Sequence, residues 1–345
     1  MRETPAALGY FMPAEWHRHT ATWLAFPHNE ETWGDLLSDV EDTYVQMIFH
    51  LHHGEIVNLL VNDEAMEEGV KKKLLAADVD LCRVIMHRIP TVDAWIRDYG
   101  PTFLLQKSAI CHPPSAIAMV DWTFNGWGNK YPDYPRDTVI PRLLNEQLHI
   151  PRFEPGIVLE GGAIDVNGAG AVLTTEQCLL NPNRNPRLSQ AEVEQHLKDY
   201  LGVTRIIWLG EGIIGDDTDG HVDDIARFVN PTTIVCALEE DPADDNYTAL
   251  QENYRRLQAA GFNVVPLPMP GVVSDGARRL PASYANFYIG NQVVLVPTFH
   301  HPHDAQAIAI LAQMFPTRQV IGIPCTSLVH GYGAIHCVTQ QQPQP

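Results

Sequence analysis

Apolar residues recur at helical spacing in several segments, and each such segment is followed by a short strand-like run. From Asp35 to Gly54 an apolar residue returns every three or four positions, and Gly54 stands where a helix would end. The following EIVNLLV run is typical of a buried strand. Helical patterns near 243–260 and 303–314 likewise precede the runs NVVPLPMP and RQVIGIP. This alternation predicts an α/β fold.

One helix start carries a capping signature. Ser189 and Glu192 have the spacing of a capping box, in which each side chain bonds the other residue's backbone N–H, and IIWL predicts the next strand. Proline and glycine are spread through the loops and do not gather in a linker. We therefore expect one domain over residues 1–345, with its core at about 10–340. The polar ending QQQPQP predicts a flexible tail over 341–345.

Isolated polar residues precede apolar runs at five places. They are Asp98 in WIRDYGPTFLL, Glu160 in VLEGGAIDV, His221 with Asp223 in TDGHVDDIARFV, Asn286 in YANFYIG, and Cys337 in AIHCVTQ. Successive sites are about 60 residues apart, the last interval being shorter, which indicates repeated strand–helix–strand units. Units around a common axis would turn one polar group each into a shared cavity. Spacings selected by inspection can also look regular by chance, so the pattern alone leaves both interpretations open.

The charge balance narrows the classes of partner. A formal net charge of -19 makes nucleic acid an improbable partner and favours small cationic molecules, although acidity also serves solubility alone. The N-terminal residues lack the basic start and apolar run of a signal peptide, and no stretch of about 18 uncharged apolar residues occurs. The six cysteines show no CxxC spacing. We expect a cytoplasmic protein with reduced thiols, and no Rossmann or Walker glycine pattern links a strand to a helix.

The five polar positions combine a thiol, an imidazole, carboxylates and an amide. Cys337 is either a packed small hydrophobe or a nucleophile, and His221 is either part of a solvated acidic loop or an imidazole held by the surrounding aspartates. For Asp98 the structural alternative is an ion pair with neighbouring Arg97, and for Glu160 it is a role in a turn. Carboxylates that share a pocket with a thiol are tolerated when a cation occupies it, and a guanidinium suits them.

A metal site is the competing interpretation. The candidate ligands are Asp223 and the histidines His17, His19, His300, His301 and His303. No HExxH or other compact ligand motif supports them, so we favour a polar loop and helix start for the later histidines.

Six segments together resemble a known family. MPAEWHRHTATWLAFPHNEETW, WIRDYGPTF, LEGGAIDVNG, GDDTDGHVDDIARFV, SYANFYIGN and GAIHCVTQQQP resemble the agmatine deiminase and bacterial-type peptidylarginine deiminase family of the guanidine-modifying superfamily, from about Met12 to Pro343. The resemblance implies a five-bladed, pentein-type α/β propeller with pseudo-fivefold repeats and an acidic central site.

The same resemblance implies site residues and a reaction. Cys337 matches the nucleophile, His221 the general acid and base, and Asp98 and Asp223 the carboxylates that bind the guanidinium. Trp95, Glu160 and Asn286 match the substrate pocket, with Trp95 as the stacking ring. The resemblance implies a homodimer. It implies neither a metal nor an organic cofactor.

The implied substrate is a small cationic guanidine, first of all agmatine, which would become N-carbamoylputrescine and ammonia through a covalent thiouronium on the cysteine. Peptidylarginine, arginine, another alkylguanidine, amidino transfer to an amine, and non-catalytic binding remain alternatives. Arg18, Arg97 and Arg227 are the candidates to hold the carboxylate of arginine. Tyr99 and Tyr332 add bulk near the predicted pocket, where the family tends to have smaller residues.

Overall fold

The computed structural model describes residues 3–107 and 116–345, and it has the α/β composition predicted from the sequence. The helices within these ranges are α1 (Glu30–Trp33), α2 (Leu37–Leu51), α3 (Glu64–Ala76), α4 (Ile96–Tyr99), α5 (Gly126–Asn129), α6 (Ile140–Leu148), α7 (Glu176–Leu179), α8 (Gln190–Leu201), α9 (Tyr247–Ala259) and α10 (His303–Met314). None of the helices in the described ranges is long and apolar enough to cross a membrane. Cys111 lies outside the described residues.

Seventeen strands occur in the described ranges. They are β1 (Tyr10–Phe11), β2 (His19–Ala25), β3 (Ile56–Val61), β4 (Val84–Arg88), β5 (Thr102–Gln106), β6 (Ile117–Val120), β7 (Arg152–Phe153), β8 (Asp165–Val166), β9 (Ala171–Thr175), β10 (Arg205–Leu209), β11 (Ala226–Asn230), β12 (Thr233–Leu238), β13 (Asn263–Pro268), β14 (Tyr288–Ile289), β15 (Val293–Thr298), β16 (Gln319–Pro324) and β17 (Gln340–Pro343).

The strands form five small sheets that share one pairing scheme. Their orders are β1-β5-β6-β7, β10-β9-β8, β11-β12-β13, β14-β15-β16 and β17-β2-β3-β4. In each sheet an antiparallel pair is extended by a parallel strand, and the parallel partners are joined through helices, as β12 and β13 are through α9. A parallel partner requires such a crossover, whereas an antiparallel partner needs only a short turn. The repeated units predicted from the spacing are therefore present as repeated sheets.

The helices predicted from periodicity are confirmed, with small shifts at their ends. Helix α2 buries one face through Val40, Tyr44 and Met47, and it ends before Gly54, with its cap at His52. The capping box at the start of α8 is formed by both of its hydrogen bonds. These helices could be predicted from the local sequence because their apolar residues lie on one side of the helix.

The C-terminal segment corrects one expectation. We predicted a flexible tail over 341–345, but residues 340–343 form β17, which pairs antiparallel with β2 near the other end of the chain. The amide of Gln340 donates to the Pro101 carbonyl at 2.6 Å, and Gln341 accepts from Arg97 at 2.7 Å. A polar sequence is held here because the glutamine side chains find buried partners, which a composition argument cannot foresee.

Candidate active site

Each of the five polar positions lies in the turn that leads into one strand of a different sheet. Asp98 precedes β5, Glu160 precedes β8, His221 and Asp223 precede β11, Asn286 precedes β14, and Cys337 precedes β17. Short helical turns occupy three of these places, at 96–99, 161–163 and 222–224. A turn releases its side chains from the strand ladder, so the same position in each repeat can present a polar group to a common centre.

Cys337 meets an amide and a carboxylate. The Asn286 side chain donates to the Cys337 Sγ at 3.1 Å and to the carboxylate of Asp224 at 3.0 Å. Its carbonyl oxygen accepts from the backbone N–H of His336 at 2.9 Å. Asp223 Oδ2 lies 3.7 Å from the same sulfur, and Asp223 Oδ1 is buried without a hydrogen-bond partner. Asn286 therefore fixes the thiol, while Asp223 keeps one oxygen free for a ligand.

The His221 ring lies between two carboxylates without bonding either. Its Nδ1 is 3.7 Å from Asp98 and its Nε2 is 4.0 Å from Glu160, and neither ring nitrogen has a hydrogen-bond partner. Glu160 is held by Arg184, whose Nε donates to its other oxygen at 2.7 Å. Both ring nitrogens are thus available to a reacting group, which is the arrangement a proton-transfer residue needs.

Asp98 does not pair with Arg97, in contrast to the local ion pair considered from the sequence. Its two oxygens accept from the Trp127 indole at 2.8 Å and from the Gly162 backbone at 2.9 Å, while Arg97 turns towards Glu15. Sequence reasoning missed Trp127. The sequence feature that could have indicated it is its position between two glycines. Gly126, Trp127 and Gly128 all have left-handed φ angles, a region that favours glycine.

These groups line or adjoin a cavity of about 550 Å³. Trp95 and Cys337 both line it, and the Trp95 ring lies against the backbone of Gly331 and Gly333. A methyl group added at either glycine would come within 2.6 Å of that ring. This close approach brings the aromatic ring beside the thiol. Asp98 lines it too, whereas His221, Asp223, Glu160 and Asn286 are not among the lining residues.

The more exposed part of the cavity wall is acidic. Glu31, Asp217 and Asp275 line it, and Arg278 is the one lysine or arginine among the lining residues in the part of the chain that the structure describes. The Arg278 guanidinium lies 4.2 Å from the centre of the Tyr332 ring, and its Nε donates to Asp275 at 3.4 Å. Sequence reasoning missed Arg278, because nothing in SDGARR marks it.

The three arginines proposed for a substrate carboxylate are elsewhere. Arg97 and Arg227 are buried beside Glu15, and Arg18 is exposed and does not line the cavity. Tyr99 does not line the cavity either, because its hydroxyl donates to the Asp93 carbonyl at 2.7 Å in the core.

Tyr332 does line the cavity, in a strained conformation. Its φ of 68° lies in the left-handed region, which favours glycine. The bulk expected at this position is therefore present, and the bulk expected from Tyr99 is not.

Burial has the largest effect on the pKa values of the site residues. Burial, then the charges of Asp223 and Asp224, raise the pKa of Cys337 well above its usual value. Burial lowers the pKa of His221 to about 3, so the ring is neutral. Burial, then the charge of Asp223, raise the pKa of Asp98. A bound cation would offset these negative charges and favour the thiolate.

The acidic residues around His221 do not hold it as an imidazolium, contrary to the expectation from GDDTDGHVDD. Asp216 accepts backbone N–H groups, Asp217 accepts from the Tyr131 hydroxyl, and Asp219 pairs with Lys130 and Arg184. Each has its own partner, so desolvation of the ring prevails.

The histidines proposed as metal ligands do not come together. Among the described residues the one group of three or more that could hold a metal ion is Glu160, Cys178 and His221. His19 is instead bonded to Glu55, and His303 to the carbonyl of Met269. The thiol, imidazole and carboxylates are an assembly suited to covalent chemistry on a planar cation.

Comparisons with known proteins agree with the resemblance found in the sequence. Residues 11–343 match the Porphyromonas-type peptidyl-arginine deiminase family. The agmatine deiminase of Stutzerimonas stutzeri (strain A1501) is 36% identical, covering 100% of this chain and 98% of that protein. A solved agmatine deiminase of Enterococcus faecalis gives a TM-score of 0.90 at 30% identity, covering 99% of this chain and 98% of that one. The C. jejuni agmatine deiminase with substrate bound gives 0.89 at 30% identity, covering 97% and 96%. The predicted family is thereby confirmed, and this chain belongs to the Porphyromonas-type peptidyl-arginine deiminase family.

Proposed function

We propose that the protein is an agmatine deiminase, a hydrolase that converts agmatine to N-carbamoylputrescine and ammonia. The observation that carries the proposal is the contact of the Cys337 thiol with Asp223, whose second oxygen is buried and unpartnered, at a cavity lined by Trp95. The five similar sheets support a five-bladed propeller acting as a single deiminase domain. A cytoplasmic location and a homodimer stay predictions.

Binding of the guanidinium is the first step. Asp223 Oδ1 and the Asp98 carboxylate accept from its N–H groups, and the Trp95 ring covers its flat face. Asn286 fixes the Cys337 sulfur through its 3.1 Å hydrogen bond. Burial raises the pKa of Cys337, so the thiol stays protonated and unreactive until the substrate cation binds beside it. Activation is then tied to the presence of substrate.

Covalent chemistry follows from a neutral His221. The ring accepts the thiol proton as Cys337 Sγ forms a bond to the central guanidinium carbon, and the adduct is stabilised by Asp98 and Asp223. His221 returns the proton to the leaving nitrogen, so the C–N bond breaks, ammonia leaves, and an S-alkylthiouronium remains. Water then attacks the same carbon with His221 as base. The C–S bond breaks, and the ureido product and the thiol are released. Neither a metal nor an organic cofactor enters these steps.

The outer cavity wall favours a second positive charge on the substrate. Glu31, Asp217 and Asp275 face the space beyond the thiol, and agmatine carries an ammonium group at the end opposite its guanidinium. Arg278 is already engaged by Asp275 and stacked on Tyr332, which lowers its availability to a substrate carboxylate.

One observation favours a second candidate, a guanidine that carries a carboxylate. Arg278 lines the cavity and is largely exposed, so it could exchange Asp275 for a substrate carboxylate without a large desolvation cost. Free arginine is the simplest compound of this class.

The test uses purified protein with a chelator present and measures ammonia and ureido product separately for agmatine, arginine and a blocked arginine peptide. Cys337→Ala is the test variant, and Cys82→Ala, at an exposed cysteine, is the matched control. Turnover of agmatine alone, lost in Cys337→Ala and kept in Cys82→Ala, is the expected result.

Preferred turnover of arginine would replace agmatine with the second candidate. Wild-type turnover by Cys337→Ala would overturn the covalent mechanism. Transfer of the amidino group to an added amine, in place of release to water, would identify an amidinotransferase.

A further inference from the structure

Behind the proposed guanidinium site lies a histidine that contacts a carboxylate on each side. His336 Nδ1 is 2.6 Å from Asp223 Oδ2, and His336 Nε2 is 2.8 Å from Glu15 Oε2. The ring is 2% exposed. A neutral imidazole has one N–H and can donate to only one of two such oxygens, whereas an imidazolium donates to both. The geometry therefore requires a second proton on the ring or a proton on one carboxylate.

The surrounding charges decide between these two states. Glu15 Oε2 also pairs with Arg227 at 2.9 Å and lies 3.5 Å from Arg97. These two guanidinium groups by themselves favour the ionised form of Glu15. Burial would raise the pKa of Glu15, but Arg227, His336 and Arg97 together hold it well below the usual range. Glu15 is thus ionised, and an ionised carboxylate on one side with Asp223 on the other favours the charged ring.

Three carboxylates and three bases meet in this buried cluster, in which Glu15, Asp165 and Asp223 contact Arg97, Arg227 and His336. A neutral His336 could donate to only one of its two carboxylates, so the other short contact would have no hydrogen between the two atoms, which is costly in a buried site.

The pKa of Asp223 is shifted in the opposite direction from the pKa values of the neighbouring carboxylates. Burial would raise its pKa, but the His336 hydrogen bond and charge lower it below the usual value. Asp98 and Asp224 are equally buried without a cation in contact, and burial with the charge of Asp223 raises their pKa values. The other titratable and charged groups that interact with Asp223 are His221, Arg227, Cys337, Asp98, Asp216 and Asp224.

We propose that His336 is a permanent imidazolium that holds Asp223 ionised, with Oδ2 fixed and Oδ1 directed to the substrate, before any substrate binds. His336 is a positioning residue, because it acts through Asp223 and does not line the cavity. The role of His336 in substrate binding rests on the proposed function. The physical content of the proposal, a doubly protonated ring that keeps one carboxylate charged, is independent of turnover.

The first test observes the ring directly in the intact, substrate-free protein. Nitrogen-15 NMR of histidine-labelled protein reports whether each ring nitrogen carries a proton, and the signal lost in His336→Gln assigns His336 among the sixteen histidines. We expect both nitrogens to carry a proton at about pH 7, because each has a carboxylate oxygen within hydrogen-bond distance. A single-tautomer neutral signal at about pH 7 overturns the proposal, whatever the enzyme's activity.

The second test measures the charge of Asp223 through the thiol. Chloroacetamidine, a planar cation, and chloroacetamide, its neutral analogue, both alkylate cysteine, and the ratio of their rates at Cys337 reports the negative charge beside it. We expect His336→Gln to lower this ratio about tenfold at about pH 6, with recovery towards about pH 9 as Asp223 ionises without help. His52→Gln, at a buried histidine bonded to a carbonyl of its own helix, is the matched control and should leave the ratio unchanged.

An unchanged ratio in a folded His336→Gln protein overturns the proposal, and so does a loss that is the same at every pH. Glu15→Gln supplies a second variant should His336→Gln not fold, with a smaller change in the same direction expected. Failure of agmatine turnover in the wild type would refute the proposed function and leave both of these measurements interpretable.

Discussion

Replacement of Gly162 by alanine tests the compactness of the proposed site most directly. Gly162 lies in the turn at 161–163, and its N–H donates to Asp98. A Cβ at this position would lie 2.6 Å from His221 Nδ1, 2.9 Å from Asp98 Oδ1 and 3.1 Å from Asp223 Oδ2. Its φ is outside the left-handed region, so alanine introduces no backbone strain there. The whole effect should come from the added methyl group.

The expected magnitude follows from these distances. Ordinary contacts of a carbon atom begin at about 3.5 Å, so His221 must move by roughly 1 Å or the turn must shift. Overpacking of this kind lowers the free energy of unfolding by about 1–3 kcal/mol. Displacement of a catalytic group by about 1 Å costs about 100-fold in rate, so activity should suffer more than stability.

The assay compares kcat/KM for agmatine and the free energy of unfolding in three variants. Gly162→Ala should lose about 100-fold in kcat/KM and remain folded. Gly69→Ala is the matched control, since it is in the exposed part of α3 with no atom within 4 Å of the added methyl group. It should keep full activity and gain about 0.5–1 kcal/mol of stability.

Gly161→Ala should fail in folding, because its methyl group would lie 2.1 Å from the main-chain oxygen of Arg97. Wild-type kcat/KM in Gly162→Ala would refute the placement of His221, Asp98 and Asp223 around one small space.

Three further predictions follow from the same geometry. Trp127→Phe removes the 2.8 Å hydrogen bond to the buried Asp98, so kcat/KM should fall about 10- to 100-fold and the free energy of unfolding by about 1–3 kcal/mol; an unaltered kcat/KM would show that the bond is dispensable. Because burial and the charge of Asp223 raise the pKa of Asp98, and only the ionised form binds a cation, kcat/KM should rise with pH above the ordinary carboxylate range. A profile that falls over that range would contradict this. Tyr332→Gly removes a ring held at a φ of 68° under Arg278, so the protein should remain at least as stable while its relative kcat/KM for a blocked arginine peptide over agmatine increases; loss of stability would argue against strain at this position.

The local pattern of the sequence was sufficient for four of the longer helices, and it indicated a repeat without deciding against chance. Helices α2, α8, α9 and α10 have apolar residues on one face and recognisable ends, so their positions depend on neighbouring residues alone. The polar residue before each apolar run at a spacing of about 60 residues indicated five equivalent turns. The structure places those turns one per sheet, and it brings His221 between Asp98 and Glu160.

The pattern of apolar and polar residues could not predict contacts between segments that are distant in the sequence. The strand at 340–343 looked like a tail because the strand it pairs with, β2, is at the other end of the chain. Trp127 reaches Asp98 from the neighbouring part of the same repeat, and Arg278 enters the cavity from a loop of another. No sequence periodicity identifies Trp127 or Arg278 as site residues, because their roles depend on contacts made in the folded protein.

The chemical groups of the site were therefore determined by the sequence, and their charge states by the tertiary structure. Aspartates crowd His221 in the sequence, yet each finds another partner, so burial leaves the ring neutral. His336 has no acidic neighbour in the sequence, yet the fold places Glu15 and Asp223 on its two nitrogens. Ionisation depends on desolvation and on charges within a few ångströms, and both quantities exist only once segments hundreds of residues apart have packed together.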